Sequence, residues 1–316
     1  MRTVDYRGLA ALDAVIGLGS FERAAQALAI SQPAISQRIR TLENLEGTLL
    51  IIRSQPPKPT EAGQRLIAHY RQVKLLEAAL DAKPGPTTQL PELAIAVNAD
   101  SAATWIPEAL GPLLTPPSCL LDIRLDDQDH TLSQLREGRV FACVTSTTEL
   151  VAGTTATLLG SMRYLCLASP AFAQQWFADG FTAEAVSLAP AITFGSKDAM
   201  HERYLEHRLG YTGRYPHHVL GSARDFVRFI EAGYAYGMVP QLQAEKSLAE
   251  GKLVDVAAGQ AIDVPLMWHA WDIQTPLTRT LSDAVIATAR KWLLQGGARL
   301  TSLGLAGVSD ADSGQA

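Results

Sequence analysis

Cysteine is scarce in this chain of 316 residues: Cys119, Cys143 and Cys166 are the only three, and they lie far apart. They offer neither a disulfide framework nor metal-ligand spacing, so a reducing cytoplasm is the expected home. Long apolar runs are missing too. No stretch approaches the ~20 residues that cross a bilayer. The opening MRTVDYRGLAALDAVIGLGS is interrupted by Asp5, Arg7 and Asp13. It therefore reads as an amphipathic helix and not as a secretory leader, and no membrane contact is expected. An overall basic excess is also absent: the net charge is −5, which argues against a chain coated along its length by nucleic acid. There is no P-loop and no G-x-S-x-G, and no evident nucleophile–base pair, so no enzyme and no cofactor are expected. Only His217 and His218 adjoin among seven scattered histidines, and their Gly/Tyr/Pro-rich setting reads as loop. Asp126, Asp127, Asp129 and His130 read as a solvated acidic loop before a metal site, so no metal is expected.

What is present is unevenly placed. Residues 1–74 hold ten Lys/Arg against six Asp/Glu, a surplus of four, leaving nine net negative charges on the remainder. A basic head on an acidic body suits nucleic-acid contact at one end only. The length suggests about two or three domains, and 47% hydrophobic with 19% charged residues fits a globular chain. Within the head, SFERAAQALAISQPAISQRIRTLENL (20–45) scans as two short amphipathic helices. Phe21, Ala24, Ala25 and Leu28 share one face by their spacing of three and four. Ala29 and Ile30 make the turn, Ser31 caps the second helix, and Pro33 occupies its first turn, where a missing N–H costs little. Ile35, Ile39, Leu42 and Leu45 are expected to form its buried stripe. Gln32, Ser36, Gln37 and Arg40 then face outward. Amides, a hydroxyl and a guanidinium there, almost without acid, are the groups that read base edges from a helix-turn-helix. By spacing alone an ordinary helical hairpin is also open.

Asp5 to Gly17 reads as a preceding helix with Leu9, Leu12, Val15 and Ile16 inward. Leu49 to Arg53 reads as a short strand. The following Pro56-Pro57-Lys58-Pro59 cannot be helical, so strand and loop suggest a β-wing carrying Arg53 and Lys58 toward phosphates. Thr60 then caps a long helix. Its Leu66, Tyr70, Val73, Leu76 and Leu80 approximate a coiled-coil seam, and it ends at Lys83-Pro84-Gly85-Pro86. A homodimer through this seam would present two reading helices to a near-palindromic duplex.

From Leu90 strands alternate with helices. Strands are expected at 93–97, 120–125, 140–145, 162–168, 191–194, 236–240 and 266–271, with helices opening at Ser101 and spanning 132–138, 226–235 and 277–294. Such alternation predicts α/β units with mostly parallel sheets, whose ligands sit beyond the carboxyl ends of strands. The end, 301–316, is small and polar and reads as a disordered tail.

The first ~80 residues resemble the LysR-type transcriptional regulators. The carrying motifs are Phe21-x-x-Ala24-Ala25, Ser31-Gln32-Pro33-Ala34-Ile35-Ser36, Ile39-x-x-Leu42-Glu43 and Pro59-Thr60-Glu61-Ala62-Gly63. The resemblance implies an N-terminal winged helix-turn-helix (1–59), a linker and dimerisation helix (60–86), and a two-lobed periplasmic-binding-protein-like α/β effector domain (90–300). Lobe 1 would be 90–163 with 268–300, and lobe 2 164–267. It further implies a homodimer or homotetramer, action on promoter DNA beside RNA polymerase, and switching by a small effector between the lobes. A narrower match, through Asp5-Tyr6-Arg7, Leu12-Asp13-Ala14-Val15, Asn98-Ala99-Asp100-Ser101-x-Ala103-Thr104-Trp105, Met200-His201 and Trp268-His269, looks like the LysG/ArgP branch. Members of that branch sense lysine and arginine and activate export genes. By this analogy the DNA-facing residues are Gln32, Pro33, Ser36 and Gln37, with Arg40 beside them and Arg53 on the wing. Gln37 stands where many relatives carry Arg.

A basic amino acid needs donors for its carboxylate, acceptors for its ammonium, and an acid for its far end. Ser101 and Thr104, where a helix opens at Ser101, offer the first, and Asn98 is a further candidate effector contact. Asp100, Asp127 and Asp198 are the candidate acids. Ser146, Phe194, His201, Ser222 and Phe226 are expected to complete the walls. The alternatives left open are a regulator answering to another metabolite and a solute-binding or transport-accessory protein, which the α/β body alone would permit.

Overall fold

The computed structural model describes residues 4–81, 90–125, 128–195 and 199–295. The expected Lys83–Pro86 breaker, the carboxylates of Asp126, Asp127 and Asp198, and the 301–316 tail lie outside the described residues.

The head is built from capped helices. The Asp5 carboxylate accepts the N–H groups of Arg7 and Gly8 at 3.1 and 3.0 Å and opens α1 (Tyr6–Leu18). Ser20 caps α2 (Phe21–Ala27) and Ser31 caps α3 (Gln32–Glu46). Between them Ala29 takes a left-handed φ of 52°, a conformation that costs a non-glycine residue about 1–2 kcal/mol. Ala24 and Ala25 are buried beside Leu9, Leu12, Ile35 and Ile39, so their small side chains set how closely the helices approach. Leu45 is a correction: it is 56% exposed. Within α3 the head's core ends at Leu42, and Leu50, Ile51 and Ile67 complete it, leaving the last turn of α3 outside.

The expected wing is present but short. β1 (Ile51–Ile52) pairs antiparallel with β2 (Lys58–Pro59). Pro56, Pro57 and Pro59 lack the N–H groups a longer ladder would need. The Glu43 carboxylate accepts the Leu50 N–H at 2.9 Å, tying the wing to α3. Thr60 opens α4 (Glu61–Asp81), its hydroxyl accepting from the Gly63 N–H at 3.1 Å and donating to the Leu49 carbonyl at 2.8 Å. A Cβ on Gly63 would lie 2.1 Å from the Leu50 carbonyl oxygen, so α4 can lie on the wing only with glycine there. Leu66, Tyr70 and Val73 are half-buried, whereas Leu76 and Leu80 are 48% and 84% exposed.

The body begins with β3 (Glu92–Val97), α5 (Ala99–Ala103), α6 (Ile106–Leu114), β4 (Leu120–Leu125), α7 (Gln128–Arg136) and β5 (Ala142–Thr145). The fifteen-residue β6 (Thr154–Ala168) leads into α8 (Pro170–Trp176), α9 (Ala183–Leu188), β7 (Ala191–Thr193), α10 (Met200–Leu209), β8 (His217–Val219), α11 (Ala223–Glu231), β9 (Gly237–Pro240), α12 (Gln241–Ala249) and β10 (Val254–Asp255). β11 (Ile262–Trp271) returns, and α13 (Pro276–Trp292) closes the fold.

The sheet order is β10-β6-β11-β5-β3-β4, with β9 also on β6; β7 and β8 form a separate pair. β3 is parallel to β4 and β5, and β7 to β8, but every pair involving β6 or β11 is antiparallel. The expectation of mostly parallel sheets is thus corrected. A chain that enters a second lobe must also leave it, and the two long strands that do so run in opposite directions. Their register shifts between Leu266 and Met267, opposite Gly160, whose φ is +130°. Arg163 pairs with Asp263 and Trp268 with Thr157, so the two crossing points read from the sequence are not level in the ladder. Helix α11 starts three residues earlier than the expected Phe226 because Ser222 caps it. His217 and His218, read as loop, lie in the exposed strand β8.

Candidate nucleic-acid interface and ligand cleft

At one end of the molecule a concavity of about 670 Å³ opens between the start of α2, the start of α3 and the wing. Ser20, Gln32, Ser36, Arg53, Ser54 and Gln55 line it, with Glu22 the one acid. Gln32, Pro33, Gln37 and Arg40 are exposed, Ser36 is half-buried, and Arg53 is exposed on the wing. All six residues expected to face DNA are therefore at the surface of one end, and three of them share the concavity. Ser20, Ser54 and Gln55 were not singled out by sequence. The cap signature at Ser20 was the available signal, since its hydroxyl accepts the Arg23 N–H at 3.4 Å.

The second site lies where β3 and β5 end. Asn98 follows β3 and is 3% exposed, and neither its amide nitrogen nor its oxygen has a hydrogen-bond partner among the described residues. Ser101 is fully buried with its hydroxyl in the same condition. The helix expected to open at Ser101 starts earlier: α5 begins at Ala99, and Asn98 makes no side-chain cap bond. The Thr104 hydroxyl donates to the Asp100 carbonyl at 2.7 Å.

Asp100 is placed between elements. Its carboxylate accepts the Tyr164 O–H at 2.7 Å from β6 and the Gln243 amide at 3.3 Å from α12. Sequence reasoning missed both partners, which carry no local signature. Ser146 is buried at the end of β5, and Phe194 is half-buried after β7. Helix α5 packs against α11, which brings Asn98, Asp100 and Ser101 toward the helix capped by Ser222. The Ser222 hydroxyl itself donates to the Asp225 carboxylate at 2.9 Å. Phe226, on the same helix, is packed in the core with Ile192, Ile230 and Val239. His201 is buried on α10, its Nε2 3.3 Å from the Tyr236 hydroxyl and its ring 5.1 Å from those of Tyr215 and Tyr236. Burial, and secondarily the neighbouring His217, push its pKa down to about 3. At neutral pH it is an uncharged hydrogen-bonding group. Asp127 and Asp198 lie outside the described residues. Among the described residues no cluster of three His, Cys, Asp or Glu could hold a metal, and no helix is long and apolar enough to cross a membrane.

Residues 6–64 match the family described as bacterial regulatory helix-turn-helix protein, lysR family, and residues 88–290 match the LysR substrate binding domain. The HTH-type transcriptional regulator ArgP of Pseudomonas fluorescens (strain Pf0-1) is 43% identical over 293 residues, covering 92% of this chain and 98% of its own. The crystal structure of ArgP from Mycobacterium tuberculosis superposes with a TM-score of 0.85 at 37% identity, covering 93% of this chain and 100% of that one. Full-length LysG from Corynebacterium glutamicum with bound effector Arg gives 0.77 at 35% identity, covering 91% and 99%.

Proposed function

The chain belongs to the LysR family of bacterial helix-turn-helix transcriptional regulators, and from that premise we propose that it senses a basic amino acid, arginine or lysine, and controls transcription of an amino-acid exporter gene. It is a regulator and not an enzyme, as its named relatives are. The bound arginine of the similar LysG structure supports the ligand class.

The observation that carries the reading is Asn98. A buried polar group without a partner costs about 1–3 kcal/mol, and this side chain holds both a donor and an acceptor in that condition. An amino acid's carboxylate and ammonium need such a pair. Ser101 adds a hydroxyl beside it. Asp100, with Asp127 and Asp198 as the other candidates, supplies the acid for the distal cation, and Ser146, Phe194 and His201 contribute to the walls. At the other end α3 enters the major groove through Gln32, Pro33, Ser36, Gln37 and Arg40, while Arg53 holds a phosphate. Helix α4 pairs two copies, as a homodimer or within a homotetramer, on near-palindromic promoter DNA in the cytoplasm, where RNA polymerase is the partner. The units 1–59, 60–86 and 90–300, with 301–316 as a tail, are the division this reading uses.

Calorimetric titration of the full chain with arginine, lysine and leucine tests it. Heat is expected from the first two and none from leucine. Asn98→Ala should weaken arginine by about 1.5–3 kcal/mol, the worth of a hydrogen bond to a charged group. Equal heats from leucine and arginine would remove the charge-recognition reading.

A further inference from the structure

Helix α7 has its two ends in different surroundings. It starts after the carboxyl end of β4, on the side where parallel strands present the ligand cleft. Its C-terminal turn meets the linker helix α4. There Gly138 closes the turn, its N–H donating to the Leu135 carbonyl at 2.9 Å with φ at +62°. A Cβ on Gly138 would lie 2.5 Å from the Ala68 Cα and 2.7 Å from the Ala68 Cβ. Only glycine satisfies both the left-handed turn and this approach.

Two side chains of α4 fasten the contact. The Gln64 amide donates to the Glu137 carbonyl. The Arg71 Nη1 donates to the Gly138 carbonyl at 3.3 Å, while its Nε donates to the Asp13 carboxylate of α1 at 2.7 Å. This ion pair is partly buried, with side chains 26% and 20% exposed. One guanidinium therefore ties head, linker and lobe 1 together. Beside the seat a cleft of about 370 Å³ separates α4 from the lobe, lined in part by Leu75, Glu92, Arg124 and Trp271.

We propose that this seat is the joint through which lobe 1 sets the orientation of the DNA-reading head, with Arg71 as its positioning residue. The proposal rests on the reading above, that a ligand between the lobes controls DNA binding. Leu132 and Leu135 are buried on α7 against Ala96, Val140 and Cys143, so the helix moves with the strands at whose ends the ligand sits. A shift of α7 carries the carbonyls of Glu137 and Gly138, which carry α4 and, through Arg71 and Asp13, α1.

The test measures the affinity and footprint of the full chain on DNA with and without arginine, alongside calorimetric arginine binding. Gly138→Ala forces the seat apart; Arg71→Gln removes the ion pair with less risk to folding. Both are expected to bind arginine, and ligand-free to bind DNA, within about threefold of the parent, while the arginine-induced change in DNA binding shrinks about fivefold or more. Arg65→Gln, which loses only an exposed pair with Glu61 on the same helix, should keep the full response. If Arg71→Gln responds like the parent, or Arg65→Gln loses the response equally, the joint is overturned. No response in the parent itself would instead overturn the functional reading beneath it.

Discussion

Gln32 and Arg53 line one concavity but have different tasks. Gln32→Ala should lose discrimination between matched and mismatched duplexes by about 1–3 kcal/mol. Arg53→Ala should weaken all duplexes alike and lower the slope of log affinity on log salt by about 0.9. Anisotropy titrations across several salt concentrations check both, and the reverse pattern would exchange the two roles. His201 gives a prediction in pH. Its pKa is pushed down to about 3 in the native chain, against about 6.5 unfolded. Below about 6.5 the unfolded chain takes a proton that the folded chain refuses, so stability is level above that pH and falls as acid is added. His269, whose pKa burial also lowers, acts with the same sign. Denaturant midpoints between about pH 5 and 7 should drop on acidification and do so less in His201→Gln; a rise would contradict the assignment. At this scale the exposure of Gln32, Gln37 and Arg40 was legible, because amphipathic spacing separates outer from inner faces. The Asn98 amide, without a partner among the described residues, and the Asp100–Tyr164–Gln243 contact were not, because they arise only when distant segments meet.

The elements were legible where their ends carry chemistry. Ser31 and Thr60, read as caps, accept N–H groups that open α3 and α4, and Asp5 and Ser20, which were not read so, do the same for α1 and α2. Ala24 is fully buried between the helices of the head, so Ala24→Leu should overpack it by about 1–3 kcal/mol. DNA binding should fall while arginine heats persist, and a variant that bound DNA like the parent would show that α2 and α3 need no close approach. Strand direction was not legible. Periodicity reports which face of a strand is buried and nothing of which way its neighbour runs, so the antiparallel β6 and β11 appear only in the assembled sheet. The same limit holds for Glu43, which reads as a motif residue and proves to hold the Leu50 N–H of the wing. The start of α11 was placed three residues late because the cap at Ser222 was not read.

At the scale of the whole molecule, a basic head and an acidic body were visible in the charge count, whereas the linker spacing did not show that Leu66 and Tyr70 pack on the head's own core. Leu76 and Leu80 are left exposed on α4 by the single chain, and in the proposed dimer a second copy covers them. Leu76→Glu with Leu80→Glu should move the sedimentation coefficient toward a monomer and weaken binding to a two-half-site duplex by about tenfold or more. A dimer of unchanged stability would place the interface elsewhere. The central claim is that one chain joins a metabolite site to a reader of DNA. The direct measurement is footprinting of the full chain on duplexes it selects from a random pool, with arginine, lysine or leucine added. A protected near-palindrome whose extent or affinity changes with arginine or lysine and stays fixed with leucine is the predicted result. Failure to select any duplex, or an identical response to leucine, would contradict it.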